Sequence, residues 1–115
     1  MKLSLRSQEN RVAKVQIEGR VSQRDLISDA EPLVEALGDD AFGQTILLDM
    51  SEVAALDSSG VNWLLICQRK MRESGGALIL HSLSPIAMNV IKVLNLQSVF
   101  KLAEDEREAL SQLNS

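Results

Sequence analysis

The sequence predicts an α/β fold: a mixed, mostly parallel β-sheet with an antiparallel hairpin strand at its N-terminal edge and about four α-helices. Three observations predict it. Leu3 and Leu5, then Val12 to Ile17, place apolar residues mostly at every second position, the mark of half-buried strands. Residues 45–49 and 77–81 are short apolar runs of strand length. Segments of helical period separate these runs, and strands alternating with helices imply parallel pairing through crossovers.

Taken in order, Glu9-Asn10-Arg11 is a turn between the first two strands, and Gly19 ends the second. Leu26, Ile27, Ala30, Leu33, Val34 and Leu37 fall on one helical face. Pro32 is tolerated only in a first turn, so the regular helix is expected from about Asp29 to Gly38, with 20–28 as loop. Residues 45–49 form a buried strand and 50–59 a connection. A second helix is expected over 60–72, stopped by Gly75-Gly76. After the strand at 77–81, Ser84-Pro85 reads as an N-cap followed by proline at the first helical position. Ile86, Val90, Val93 and Leu94 continue that helix. Residues 98–102 are expected to be the last strand and 104–113 a polar final helix.

The chain of 115 residues fits one domain, and 45% apolar residues suffice for a packed core. Twelve basic against 16 acidic residues leave a net charge of −4, which opposes binding nucleic acid by phosphate neutralisation. One Trp, two Phe and no Tyr give no base-stacking platform. Cys67 stands alone and forms no internal disulfide. No apolar run approaches membrane-spanning length, so no direct membrane insertion is expected. The first five residues lack a signal-peptide apolar region, and a cytoplasmic location is expected.

Sites in such sheets form at the carboxyl ends of parallel strands. Three loops qualify: 19–28, 50–59 and 81–85. The middle one holds Asp57-Ser58-Ser59-Gly60 where a helix begins. One reading is structural: Asp57 or Ser58 caps the helix and Gly60 allows close packing. The other is a serine that accepts phosphate. A phosphoserine carries about −1.5 to −2 charge. The amides of a helix N-terminus favour that charge, and Asp57 opposes it. A partner docked over Ser58 would have to desolvate a dianion. At about 1.4 kcal/mol per tenfold, its affinity could fall a hundredfold or more.

Other residues carry less. Trp63 is a partner anchor or a core side chain. Cys67 reads as a small buried apolar residue, and His81 as a structural histidine closing a strand. No cluster has metal-ligand spacing, and there is no Gly-x-Ser-x-Gly elbow. The glycine-containing stretch 38–43 lacks the Lys-Ser/Thr of a P-loop. Asp49 could suggest a phosphorylated receiver, but no acidic pair follows the first strand to hold magnesium. Glu104-Asp105-Glu106 suits a helix N-terminus. No catalytic residue, metal or cofactor is expected.

With Ile46-Leu47-Leu48-Asp49 and Met50-Ser51-Glu52-Val53 ahead of it, the Asp-Ser-Ser-Gly tetrapeptide resembles the STAS domain, above all the bacterial anti-sigma factor antagonists. Gly19, Gly75-Gly76 and Ser82-Leu83-Ser84-Pro85 match in the same order. The resemblance spans about Leu3 to Leu113 and implies a single STAS domain over 1–115.

It implies a binding protein, not an enzyme. Unphosphorylated antagonists bind an anti-sigma factor that is also a serine kinase, and so free a sigma factor. The kinase phosphorylates the serine directly after the motif's aspartate, here Ser58, and a PP2C-type phosphatase reverses this. Asp57 matches the acidic neighbour, and Ser59 and Gly60 complete the contact loop. Gly19, Ser22, Asn62 and Trp63 are further interface candidates. Ser22 stands where antagonists often have aspartate. Val61-Asn62-Trp63 stands where they favour Leu-Gly and a small aliphatic residue. The segment 20–31 is slightly long. Two other roles remain open: a STAS subunit of a stressosome or lipid-transport complex, with no phosphate turnover, and a small serine hydrolase with Ser58 as nucleophile.

Overall fold

Asn10 and Arg11 both adopt left-handed φ values, 52° and 62°. This is what a two-residue hairpin turn needs to match the twist of its strands. They join β1 (Lys2–Glu9) to β2 (Val12–Val21), and Glu9 pairs with Val12 across the turn. The computed structural model describes residues 2–22 and 32–113. Leu26, Ile27 and Ala30 of the expected first helix, and its start at Asp29, lie outside the described residues.

The remaining strands are β3 (Thr45–Leu56), β4 (Ala77–His81) and β5 (Lys101–Ala103). The sheet order is β1-β2-β3-β4-β5, antiparallel between β1 and β2 and parallel thereafter, as the sequence predicts. The helices are α1 (Pro32–Leu37), α2 (Ser58–Ser74), α3 (Pro85–Val93) and α4 (Glu106–Leu113).

Side chains alternate across a strand, so the apolar run of β3 feeds both faces. Ile46 and Leu48 join Val15, Ile17 and Leu80 under Leu33, Leu64, Met71 and Ile91 of the first three helices. Leu47 points the other way and packs with Ile79, Ala103 and Ala109 of α4. Gly75, at φ 85°, ends α2 by donating to the Met71 carbonyl, and Gly76 donates to the same oxygen at 2.7 Å. This left-handed stop matches the Gly75-Gly76 signal.

Several boundaries differ from the sequence expectation. β2 continues past Gly19 to Val21, and β3 continues past residue 49 to Leu56, because the two strands go on pairing: Glu18 with Glu52, Gly19 with Val53, Arg20 with Ala55 and Val21 with Leu56. Most of the expected 50–59 connection is therefore strand. α2 begins at Ser58 instead of Gly60 because Asp57 is its cap, and it runs on to Ser74. Residues 98–100 are not strand. Val99 and Phe100 donate to the Leu96 carbonyl at 2.9 and 3.3 Å, and this turn drives Phe100 into the core at 4% exposure. β5 is left with three residues. Glu104 and Asp105 precede α4, and the Asp105 carboxylate accepts from the Glu108 amide at 2.9 Å.

Candidate functional site

β3 pairs with β4 only as far as Asp49, opposite His81, but pairs with β2 to Leu56. Beyond Asp49 β4 drops out, and past the Glu18–Glu52 pair β1 does too, leaving a two-stranded overhang that carries the β3–α2 junction clear of β4. Ser84 closes its open side. The Ser84 amide donates to the Met50 carbonyl at 3.2 Å, and its hydroxyl donates to the Val53 carbonyl at 2.8 Å. The same hydroxyl accepts from the Ala87 amide at 3.2 Å as the cap of α3. One buried serine thus occupies the place of a missing strand and starts a helix.

At the tip, the Asp57 amide donates to the Val21 carbonyl at 3.4 Å, tying the loop to the end of β2. The Asp57 carboxylate accepts from the Ser59 hydroxyl at 2.5 Å and from the Gly60 amide at 2.9 Å. The Ser59 hydroxyl bond does most to hold the Asp57 pKa below the ordinary carboxylate value. The Gly60 bond follows, and the charge of Arg20 adds a small contribution. Asp57 is therefore ionised at neutral pH.

Gly60 is needed for a steric reason. A Cβ there would lie 2.2 Å from the Val21 carbonyl oxygen and 3.0 Å from Leu56 Cδ1. The first turn of α2 rests directly on the backbone of β2, so the structural reading of Gly60 is correct, as is that of Asp57 as a cap. Neither role conflicts with a functional one.

Ser58 is the first residue of α2 and is exposed. Asn62, one turn later, is exposed on the same face. Ser59 is half-buried. Ser22 is buried at 2%, and its hydroxyl has no hydrogen-bond partner among the described residues. Trp63, 8% exposed, joins the core between the sheet and the helices. Of the expected contact residues, Asp57, Ser58, Ser59 and Asn62 are at or near the surface, whereas Gly60, Ser22 and Trp63 support it from beneath. Gly19 lies within β2, at φ 87° beside a register shift, and not in the loop expected after that strand.

Two further residues belong to this surface. Arg20 sits in the part of β2 expected to be loop, and nothing in the local pattern sets it near Asp57, on which its charge acts. Ile66 is half-buried at the position that continues Ser58 and Asn62 at helical spacing. His81 is buried, with Nδ1 2.8 Å from the Ser82 hydroxyl, a structural placement. Among the described residues no group of His, Cys, Asp and Glu could hold a metal ion, and no helix is long and apolar enough to cross a membrane.

A sequence profile of the family described as STAS domain matches residues 7–109. Among solved structures, a Thermotoga maritima protein assigned as an anti-sigma factor antagonist superposes with a TM-score of 0.76 at 18% identity, covering 95% of this chain and 92% of that one. An anti-sigma-factor antagonist (STAS) domain protein from Planctomyces limnophilus gives 0.68 at 20% identity, covering 98% of both chains. The Bacillus cell fate determinant SpoIIAA, in its phosphorylated form, gives 0.65 at 22% identity, covering 97% of this chain and 99% of that one. At these identities the likeness is one of fold.

Proposed function

Because this chain belongs to the STAS domain family and shares its fold with anti-sigma factor antagonists, we propose that it is such an antagonist, switched by phosphorylation of Ser58. The observation that carries the reading is the state of the acceptor loop. Ser58 stands exposed at the start of α2, next to an aspartate whose charge is already satisfied by Ser59 and Gly60. A kinase can reach the hydroxyl without unfolding anything, and a PP2C-type phosphatase can reach the product.

The added charge meets two opposing influences of similar reach. The first-turn amides of α2 attract it, and ionised Asp57 repels it. The fold therefore changes little. A partner lying on Ser58, Ser59, Asn62 and Ile66 faces a different balance, since docking would strip water from a dianion. In this reading the unphosphorylated protein binds an anti-sigma factor serine kinase and frees a sigma factor, in the cytoplasm, by binding alone and with no reaction of its own.

The test is calorimetric binding of the serine kinase retained from the source cells on immobilised Ser58→Ala protein. Ser58→Ala should bind as wild type does, and Ser58→Asp should bind about a hundredfold or more weakly, a difference of about 2.7 kcal/mol or more. Equal affinities would reduce the loop to a fixed contact and end the switch reading.

A further inference from the structure

We propose that the exposed face of α3 docks onto an amphipathic helix of another protein, one whose apolar stripe is flanked by acidic residues. The proposal goes beyond the switch and stands whether or not Ser58 is phosphorylated.

A helix on the surface of a domain ordinarily turns polar side chains outward. α3 departs from this. It reaches the core through Ala87 and Ile91, both 0% exposed. Beside them Ile86, Val90 and Val93, at helical spacing, form a second apolar stripe. Ile86 is 51% and Val93 73% exposed, and Val90 is half-buried at the edge of the core. Leu94, 44% exposed, ends the stripe at the C-cap of the helix. Five large apolar side chains are exposed among the described residues, and with Val99 four of them lie between positions 86 and 99. Single exposed apolar residues are ordinary, whereas a stripe of them marks a contact.

The charge around the stripe names the partner. From Ser58 to Ala103 the chain holds five Lys or Arg and one acid, Glu73, and the rest of the chain holds seven against fifteen. No Asp or Glu occurs between Glu73 and Glu104. Lys92 stands exposed on α3 itself. Arg69 and Arg72 on α2 and Lys101 on β5 are exposed too, and among the described residues none of the four forms an ion pair. An apolar stripe in a cationic, acid-free region is complemented by an apolar stripe with an acidic rim.

A second copy of this chain is a poor occupant. Two such faces would bring like charge together with no carboxylate nearby to offset it. Outside this region Leu5 is the one exposed large apolar side chain among the described residues, so the acidic surfaces of a copy offer no apolar counterpart. A membrane also fits poorly. Helices that lie in a bilayer surface carry a Lys- or Arg-rich polar face with Trp or Phe opposite, and α3 has one Lys and no aromatic residue. A partner helix supplies both parts by packing its stripe along Ile86, Val90 and Val93.

The test is selection of the full chain against a synthetic pool of amphipathic helices of about 18 residues, long enough to hold helical form alone. Each carries a fixed Leu stripe, with Glu, Gln or Lys randomised beside it. Nitrogen-15 NMR then maps the best-retained peptide. Retained peptides should be enriched in Glu and should shift the amides of residues 86–94. Val93→Ser should weaken binding at least about tenfold. Lys92→Glu should weaken a Glu-flanked peptide and leave its Gln-flanked counterpart unchanged. Both side chains are exposed, and an unaltered spectrum away from α3 confirms that each variant folds. Absence of retention, retention regardless of flanking charge, an equal effect of Lys92→Glu on both peptides, or shifts that miss α3 would each overturn the proposal. So would self-association in sedimentation, or binding to phosphatidylglycerol vesicles, that Val93→Ser abolishes. None of these outcomes bears on the switch at Ser58.

Discussion

At the scale of single residues, the β3–α2 loop depends on Gly60 and Asp57 in different ways. Gly60 acts by absence. Ala at this position places a methyl group 2.2 Å from the Val21 carbonyl oxygen, so the first turn of α2 must lift away from β2. Overpacking of this kind costs about 1–3 kcal/mol. Gly60→Ala should show that loss in chemical denaturation, and a neutral result would mean that the loop adapts freely. Asp57 acts through its charge. Its pKa lies below the unfolded aspartate value of about 3.9. Its stabilising contribution is therefore complete above that value and is lost as pH falls through the lower folded one. Asparagine also caps helices but does not titrate there. The thermal midpoint of wild type should exceed that of Asp57→Asn by a constant margin from pH 7 to about pH 5, and the margin should shrink below about pH 4. A margin that does not vary with pH would show that the cap works without its charge.

At the scale of elements, the site rests on the overhang of β2 and β3, which Ser84 holds on its open side. Ser84→Ala leaves the buried Val53 carbonyl without its hydroxyl partner and removes the cap of α3. Together these should cost about 1–3 kcal/mol. Hydrogen exchange should speed up along residues 51–56, and Ser84→Thr, which keeps the hydroxyl, should restore most of the protection. If alanine and threonine behave alike, the hydroxyl is not the staple. The hairpin turn, the glycine stop of α2 and the Ser84-Pro85 cap were all legible, because each depends on one or two residues with strong local preferences. So was the cap at the start of α2, within Asp57-Ser58-Ser59-Gly60. The overhang was not. Ser51, Glu52 and Ala54 are exposed and read as loop, and their pairing to β2 depends on a partner strand far away in sequence. Arg20 was missed with it, since its place beside Asp57 follows only from the continued ladder. Val99 and Phe100 misled in the opposite direction. An apolar pair resembles a strand, yet Phe100 reaches the core through a turn.

At the scale of the whole molecule, two mechanisms could turn a phosphate on Ser58 into lost affinity, and ionic strength separates them. The chain already carries a net charge of −4, spread over a body of about 33 × 33 × 24 Å. Phosphate adds about −1.5 to −2. If the switch worked through this overall field, the effect would be long-range. Salt would erase it, because the screening length falls from about 10 Å at 0.1 M to about 3 Å at 1 M. The geometry favours the local alternative. Ser58 is exposed in the free protein, and only a docked partner would take its charge out of water. Salt screens exposed charges well and buried ones poorly. The ratio of dissociation constants for Ser58→Asp and Ser58→Ala should therefore stay within about threefold between 0.1 and 0.5 M salt, while both absolute affinities drift together. A ratio that collapses towards one at 0.5 M would place the partner's contact surface away from Ser58 and make the charge a matter of steering.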